Sequence, residues 1–310
     1  MRAGGYGGDF ATVFASLREA NRADVVLSTV DTVGIPLMLA RRRGLLRRPL
    51  VYVAIGLPER LERLGSARMH GLYATSLASS AAVVTYSEYE AAELERFLAE
   101  HGRGMRIEFV PFGVDTGVFA PSTQPSTVDV VSVGADPHRD FELLLRVAES
   151  MPAVSFELVV PSDRIRTLGQ LPPNVRVESD LPFDRMRDRL ERARVVALPV
   201  LENSYSGATT VLLQAMALAK SVVVTRTAAI ASGYGLEDAS NVRFVPPGDQ
   251  AELASAVGDL LGDQAAAGAL GAAARSTVEA DLSWERYVDR LDRLLRDVAA
   301  GRAPSRSEAG

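Results

Sequence analysis

Short, fully apolar runs alternate along this chain with longer stretches whose apolar positions recur every three or four residues. The short runs are rich in Val, Ile and Leu, as strands covered on both faces must be. The longer ones carry the period of a helix that buries one side. The first part predicts a helix over 10–19, a strand over 23–29, a helix over 35–43 and a strand over 50–55. A helical region follows to about 80, then a strand over 81–85, a helix over 87–100 and a strand over 107–111. Residues 121–127 (PSTQPST) are poor in apolar side chains and carry proline, which marks a linker. The alternation then restarts, with strands over 128–133, 154–160, 174–178, 195–199, 222–225 and 241–245. Helices are predicted over 140–150, 184–193, 209–219, 250–261, 264–280 and 284–300. Strands that alternate with helices form parallel sheets with helices on both faces. The fold class is therefore α/β, as two Rossmann-like units joined by a linker with a cleft between them. Ligands gather beyond the C-terminal ends of such strands.

At 310 residues the chain has room for two domains, and 47% apolar content suits a large core. The net charge of −5 is interspersed, which argues against a nucleic-acid partner. There is no cysteine, so disulfides, thiol catalysis and cysteine-based zinc sites are excluded. Lys220 is the only lysine and sits at a helix end, which sets Schiff-base chemistry aside. His70, His101 and His138 lack metal-ligand spacing, so neither a metal nor a bound cofactor is expected. No signal peptide is visible, and no apolar run approaches the ~18 residues that span a bilayer. A cytoplasmic location is the expectation.

The stretch 195–230 organises the rest. A buried strand leads through the polar loop ENSYSG into a helix rich in Leu, Ala and Met, and a second buried strand follows. The start of that helix gathers unpaired backbone N–H groups at Gly207, Ala208, Thr209 and Thr210. Such a point attracts phosphate through its donors and its dipole.

Four separated segments together resemble the retaining two-domain (GT-B) glycosyltransferases of glycosyltransferase family 4. VPFGVDTGVF at 110–119 is similar to the segment that ends that family's first domain. VGADPHRDFELLL at 133–145 stands in the place of its VGRL…KG…LL segment. The organising stretch is similar to EGFGLVLLEAMACGLPVV, and VPPGD at 245–249 with SWE at 283–285 completes the set. The resemblance implies transfer of a sugar from a nucleotide-sugar donor to an acceptor, with retention and without a metal. It divides the chain into an acceptor-side domain (1–126), a nucleotide-sugar domain (127–282), a helix packing back toward the first domain (283–300) and a disordered tail (301–310).

The resemblance also assigns residues. Arg139 falls on the family's phosphate-binding Lys, and a guanidinium grips two phosphate oxygens at once. Gly134 and the amides of 207–210 complete the diphosphate site. The family's Glu-x7-Glu pair is replaced by Ser206 and Gln214. Gln214 can still hydrogen-bond ribose hydroxyls. Ser206 cannot carry the charge of the acid it replaces, and Glu202, upstream in the same loop, is the candidate substitute. Tyr205 and Asn203 are candidate sugar contacts, and Leu181 and Phe183 are placed to hold the base. Asp31, after the strand ADVVLST, is a further candidate contact at a strand end.

The first domain departs from the pattern. Ile55 and Gly56 stand where the family has a His, and the family's first strand and its Gly-rich loop are missing before Gly7 and Gly8. The first domain is accordingly expected to be incomplete at its N-terminus, with the place of upstream residues left open. These departures keep an alternative in view: a non-catalytic homologue that binds nucleotide sugar or serves as a partner subunit. An epimerase of the same fold ranks last, because its carboxylates and His find no place. Arg41, Arg42, Arg43, Arg47 and Arg48, interleaved with Leu45 and Leu46, are a candidate contact to an anionic membrane and a lipid-linked acceptor.

Overall fold

The computed structural model describes residues 8–302 except Ser206, so the calls on Ser206, on Gly7 and on the tail beyond 302 fall outside the described residues. By internal contact the chain forms two units, Met1–Pro111 with Val288–Gly310, and Phe112–Tyr287.

The first unit opens with α1 (Phe10–Ala20), β1 (Val26–Ser28), α2 (Asp31–Arg42) and β2 (Leu50–Val53). It continues with α3 (Leu57–Glu62), α4 (Ala67–Leu77), β3 (Ala82–Thr85), α5 (Glu88–Glu100) and β4 (Ile107–Phe109). Its four strands are parallel and lie in chain order, β1-β2-β3-β4. Tyr52, Leu50 and Val83 meet Val13, Met38, Leu61, Leu77 and Leu94 in one core, so all five helices contribute to it. The helix expected from 35 starts at Asp31 and runs through Pro36. Ser87 caps α5, its Oγ accepting from Glu90 N–H (3.1 Å), and the Gly56 amide donates to Glu90 Oε1 (2.9 Å). Gly56 takes the left-handed backbone there, at φ 63°.

The second unit holds β5 (Val128–Val133), α6 (Phe141–Ser150), β6 (Phe156–Val160), α7 (Ser162–Ile165) and β7 (Val175–Ser179). After these come α8 (Phe183–Glu191), β8 (Ala193–Leu198), α9 (Thr209–Ala217), β9 (Ser221–Thr225), α10 (Ala228–Ala231) and β10 (Arg243–Val245). Helices α11 (Gln250–Gly262) and α12 (Gln264–Asp281) follow, and α13 (Trp284–Ala299) begins in this unit and ends in the first. The six strands are parallel in the order β10-β9-β8-β5-β6-β7. Val130, Val195, Ala197 and Val223 bury one face of this sheet against α6 and α11. On the other face α9 packs on α12.

The chain enters this sheet at β5, winds to β7 on one side, then returns to β8 on the other. The neighbours β5 and β8 therefore send their following loops in opposite directions. The crevice this leaves at the strand C-terminal ends is the usual ligand position of a doubly wound sheet. Arg139 lies after β5, and Gly207 after β8.

Candidate functional site at the β5–β8 switch point

The loops after β5 and β8 are bonded to each other. Asp140 N–H donates to Pro199 O (3.0 Å) and Leu201 N–H to His138 O (2.8 Å), which makes an antiparallel bridge between Arg139 and Val200. Val200 N–H is held in turn by Thr225 Oγ1 (3.0 Å). Asp136 shapes the first loop, because its Oδ1 accepts from His138 N–H (2.9 Å) and its carbonyl from Arg139 N–H (3.2 Å). Arg164 closes the outside through Pro137 O and Asp136 O. Asp140 then caps α6, accepting from Leu143 N–H at 2.9 Å.

Inside this frame Arg139 is only 2% exposed, yet none of its three guanidinium nitrogens makes a hydrogen bond. Burial pushes its pKa down to about 10, and the Asp136 charge offsets that only in part. A buried cation without a partner is expensive, and such groups recur where an anionic ligand completes the set. Gly134 makes room for it: a methyl group there would overlap Arg139 Nε. Further polar atoms are buried without a hydrogen bond: Asp136 Oδ2, Ser132 Oγ, Thr209 Oγ1 and Gln214 Oε1. Thr209 and Gln214 lie on α9, whose N-cap, Ala208, is buried and gives no side-chain cap. The first amides of α9 thus lack the side-chain acceptor that most helix starts possess.

The other candidates sit as follows. Gly207 is closely packed, since a methyl group on it would overlap the Tyr205 ring and stand 2.8 Å from Asp136 Oδ2. Tyr205 lies beside His138, with ring centroids 6.0 Å apart. Asn203 folds onto its own loop, accepting from Tyr205 N–H (2.8 Å) and donating to Leu201 O (2.6 Å). Glu202 and Thr210 are exposed. Leu181 is half-buried, and Phe183, 52% exposed, meets Phe119 edge-on at 5.7 Å. Asp31 belongs to the first unit, where both carboxylate oxygens are engaged, one by Tyr52 Oη and the other by Arg60. In the basic cluster, Arg41 donates to Ser79 O and Arg48 O, and Arg48 to Asn21 O. Arg42, Arg43 and Arg47 are exposed. Among the described residues no group of three or more His, Cys, Asp and Glu could hold a metal, and no helix is long and apolar enough to cross a membrane.

Asp136 and Ser132 were not among the residues expected from sequence. The signal for Asp136 was its place, two residues after the glycine that follows a buried strand.

Residues 128–263 match the model of the group 1 glycosyl transferases. Solved structures of GT-B glycosyltransferases share the fold over nearly the whole chain. Sucrose-phosphate synthase from Thermosynechococcus elongatus superposes with a TM-score of 0.77 at 18% identity, over 94% of this chain and 79% of that one. HepE from Anabaena, solved with UDP and glucose, gives 0.73 at 15% identity, over 92% and 81%. A UDP-forming α,α-trehalose-phosphate synthase from Burkholderia xenovorans gives 0.69 at 15% identity, over 92% and 79%. No curated protein sequence matches the chain.

Proposed function

We propose that this chain, a glycosyltransferase by its group 1 domain at residues 128–263, moves a sugar from a nucleoside diphosphate donor to an acceptor, with retention and without a metal. The observation that supports this most is the buried Arg139 guanidinium, with no hydrogen-bond partner, at the switch point of the sheet. A leaving nucleoside diphosphate gains negative charge as the bond to the anomeric carbon breaks. Fixed donors stabilise that charge without reorganising. In this reading Arg139 and the amides of 207–210 hold the diphosphate, and Gly134 keeps the guanidinium in place. Gln214 takes a ribose hydroxyl, Leu181 and Phe183 flank the base, and Tyr205 and Glu202 face the sugar. The acceptor oxygen bonds to the face that the phosphate leaves, and its proton passes to the departing phosphate oxygen.

Binding and turnover test this reading separately. Ligands that bind the native state raise the melting point, so UDP, GDP, ADP and dTDP with their sugar esters form the first screen. UDP sugars lead it, because HepE was solved with UDP and glucose. A shift with one nucleotide that Arg139→Ala abolishes supports the donor site; no shift with any of them overturns it. Nucleotide release that persists in excess EDTA supports metal independence, and release that stops and returns with magnesium ends it. The anomeric configuration of the product, read by NMR, decides retention. A cytoplasmic location and a peripheral contact of Arg42, Arg43 and Arg47 with anionic lipid belong to the same reading. Co-sedimentation with anionic vesicles that a triple Gln variant does not lose would remove the lipid contact.

A further inference from the structure

We propose that Asp136 binds a hydroxyl of the glycosyl group carried by the donor and so helps to set which sugars the site accepts. The inference rests on the donor-site reading above and adds a residue to it.

The carboxylate is held rigidly. The backbone carbonyl accepts from Arg139 N–H at 3.2 Å, which fixes the turn, and Oδ1 accepts from His138 N–H at 2.9 Å, a bond that turning the side chain outward would break. Oδ2 is buried and makes no hydrogen bond. It lies beside the start of α9, where a methyl group on Gly207 would stand 2.8 Å from it. A buried carboxylate oxygen left in that state is costly, and a ligand hydroxyl is the donor that would relieve it.

The neighbouring charge narrows the ligand. Arg139, three residues on, is buried with its guanidinium nitrogens unbonded, and the two opposite charges do not hydrogen-bond to each other. The site therefore presents an unused acceptor next to unused donors. A free phosphate or diphosphate meets only the donors, and it is repelled by the acceptor. A ligand that places an anion on Arg139 and a hydroxyl on Asp136 satisfies both, and a sugar joined to a diphosphate is such a ligand. Glu202, the acid expected from sequence, is exposed.

The test compares nucleotides with and without their sugar. Asp136→Asn keeps an oxygen for His138 N–H and nearly the same shape, but removes the charge. Calorimetric titration of both proteins uses UDP, GDP, ADP and dTDP, each free and esterified with glucose, mannose or N-acetylglucosamine. For the nucleotide that the wild type binds, the variant should keep its affinity for the free diphosphate within about threefold, or gain. It should lose about tenfold or more for the sugar ester. Asp136→Glu, with its carboxylate displaced by a methylene, should fail to restore the ester while still binding the diphosphate. An equal loss for both ligands would mean that Asp136 only supports Arg139, and would overturn the proposal. Unchanged binding of both would overturn it as well. If the wild type binds none of the ligands, the donor-site reading falls first and takes the proposal with it; an unaltered ratio in a protein that binds them sinks the proposal alone.

Discussion

Arg139 lies so close over Gly134 that a single methyl group at residue 134 would overlap its Nε and stand 3.0 Å from its Cζ. The glycine directly follows β5, its own N–H donating to Val159 O (3.1 Å), so the backbone at this point is fixed by the sheet. The guanidinium is enclosed, and the space that a side chain at 134 would take is the space it already fills. Gly134→Ala should therefore leave the protein folded and push Arg139 out of position. We expect nucleotide affinity to fall by tenfold or more, about 1.4 kcal/mol, with a melting point within a few degrees of the wild type. Unchanged nucleotide binding in a well-folded variant would refute this.

The same guanidinium makes the folded state less stable than it need be. Its pKa is pushed down to about 10 in the fold, well below that of an ordinary guanidinium, because burial disfavours the charged form. Below about pH 10 the fold must carry that charge, at a cost of about 3 kcal/mol. Above about pH 10 the unfolded chain holds the proton more tightly than the fold does, so stability rises with pH from there up to the ordinary guanidinium range. Arg139→Met keeps the volume and removes the charge. At pH 7 it should melt about 5 °C higher than the wild type and should bind no nucleoside diphosphate. The gap in melting point should narrow as the pH is raised past 10. A variant less stable than the wild type at pH 7 would show that the charge is compensated.

Asp31 is anchored by its neighbours in the first unit. Both its oxygens are engaged within the first unit, by Tyr52 Oη and by Arg60, and its side chain is 11% exposed. Burial also raises the pKa of Tyr73, which shares Arg60. Asp31→Asn should lower stability by about 1–2 kcal/mol, since Arg60 retains some water. Calorimetric titration should find nucleotide affinity unchanged. A drop in that affinity with no change in melting would return Asp31 to the ligand.

How much of this was legible depends on what kind of information each feature needs. The buried strands at β5, β8 and β9 are β-branched runs such as SVVVT, and their places follow from the pattern alone. Arg139, Gly207 and Gln214 came from motif spacing, which preserves order along the chain. The unbonded oxygen of Asp136 needed the third dimension. It arises only because the loop after β5 and the loop after β8, 60 to 70 residues apart, are laid side by side by the return crossover. Helix α2 starts at Asp31, four residues before the predicted start, so Pro36 lies inside it. The helix carries it at the sixth position, where its ring has only the first, loosely bonded turn behind it. For Glu202 the pattern places a charge in the loop after β8 but sets no direction, and the side chain is exposed.

A left-handed residue after α9 gives a test of the fold independent of ligand. Ala219 has φ 54°, a conformation that costs any side chain. Ala219→Gly should stabilise the second unit by about 1 kcal/mol. Gly271→Ala addresses the same spot from α12 with the opposite sign. Its new methyl would overlap the Ala219 carbonyl, a backbone atom that cannot rotate away, at a cost of about 1–3 kcal/mol. Urea melts of the two variants should therefore move in opposite directions.

Within the second unit Arg275 ties its opening segment to α9. Its guanidinium donates to Thr116 O (3.1 Å), Phe119 O (2.7 Å) and Ala217 O (2.5 Å), while Nε holds Glu279 (2.7 Å). One side chain thus satisfies the last turn of α9 and two carbonyls of the 116–119 segment. The same segment presents Phe119 to Phe183. Arg275→Met leaves three carbonyls without their donor in a place only 16% exposed, and should cost about 2–4 kcal/mol. Arg275→Lys, with one compact ammonium, can keep part of the set and should fall between. Loosening of Phe119 should also raise hydrogen exchange at 112–119 in the Met variant before it rises in β5 or β8. If exchange rises equally throughout the unit, Arg275 supports the whole sheet and the segment has no separate dependence on it.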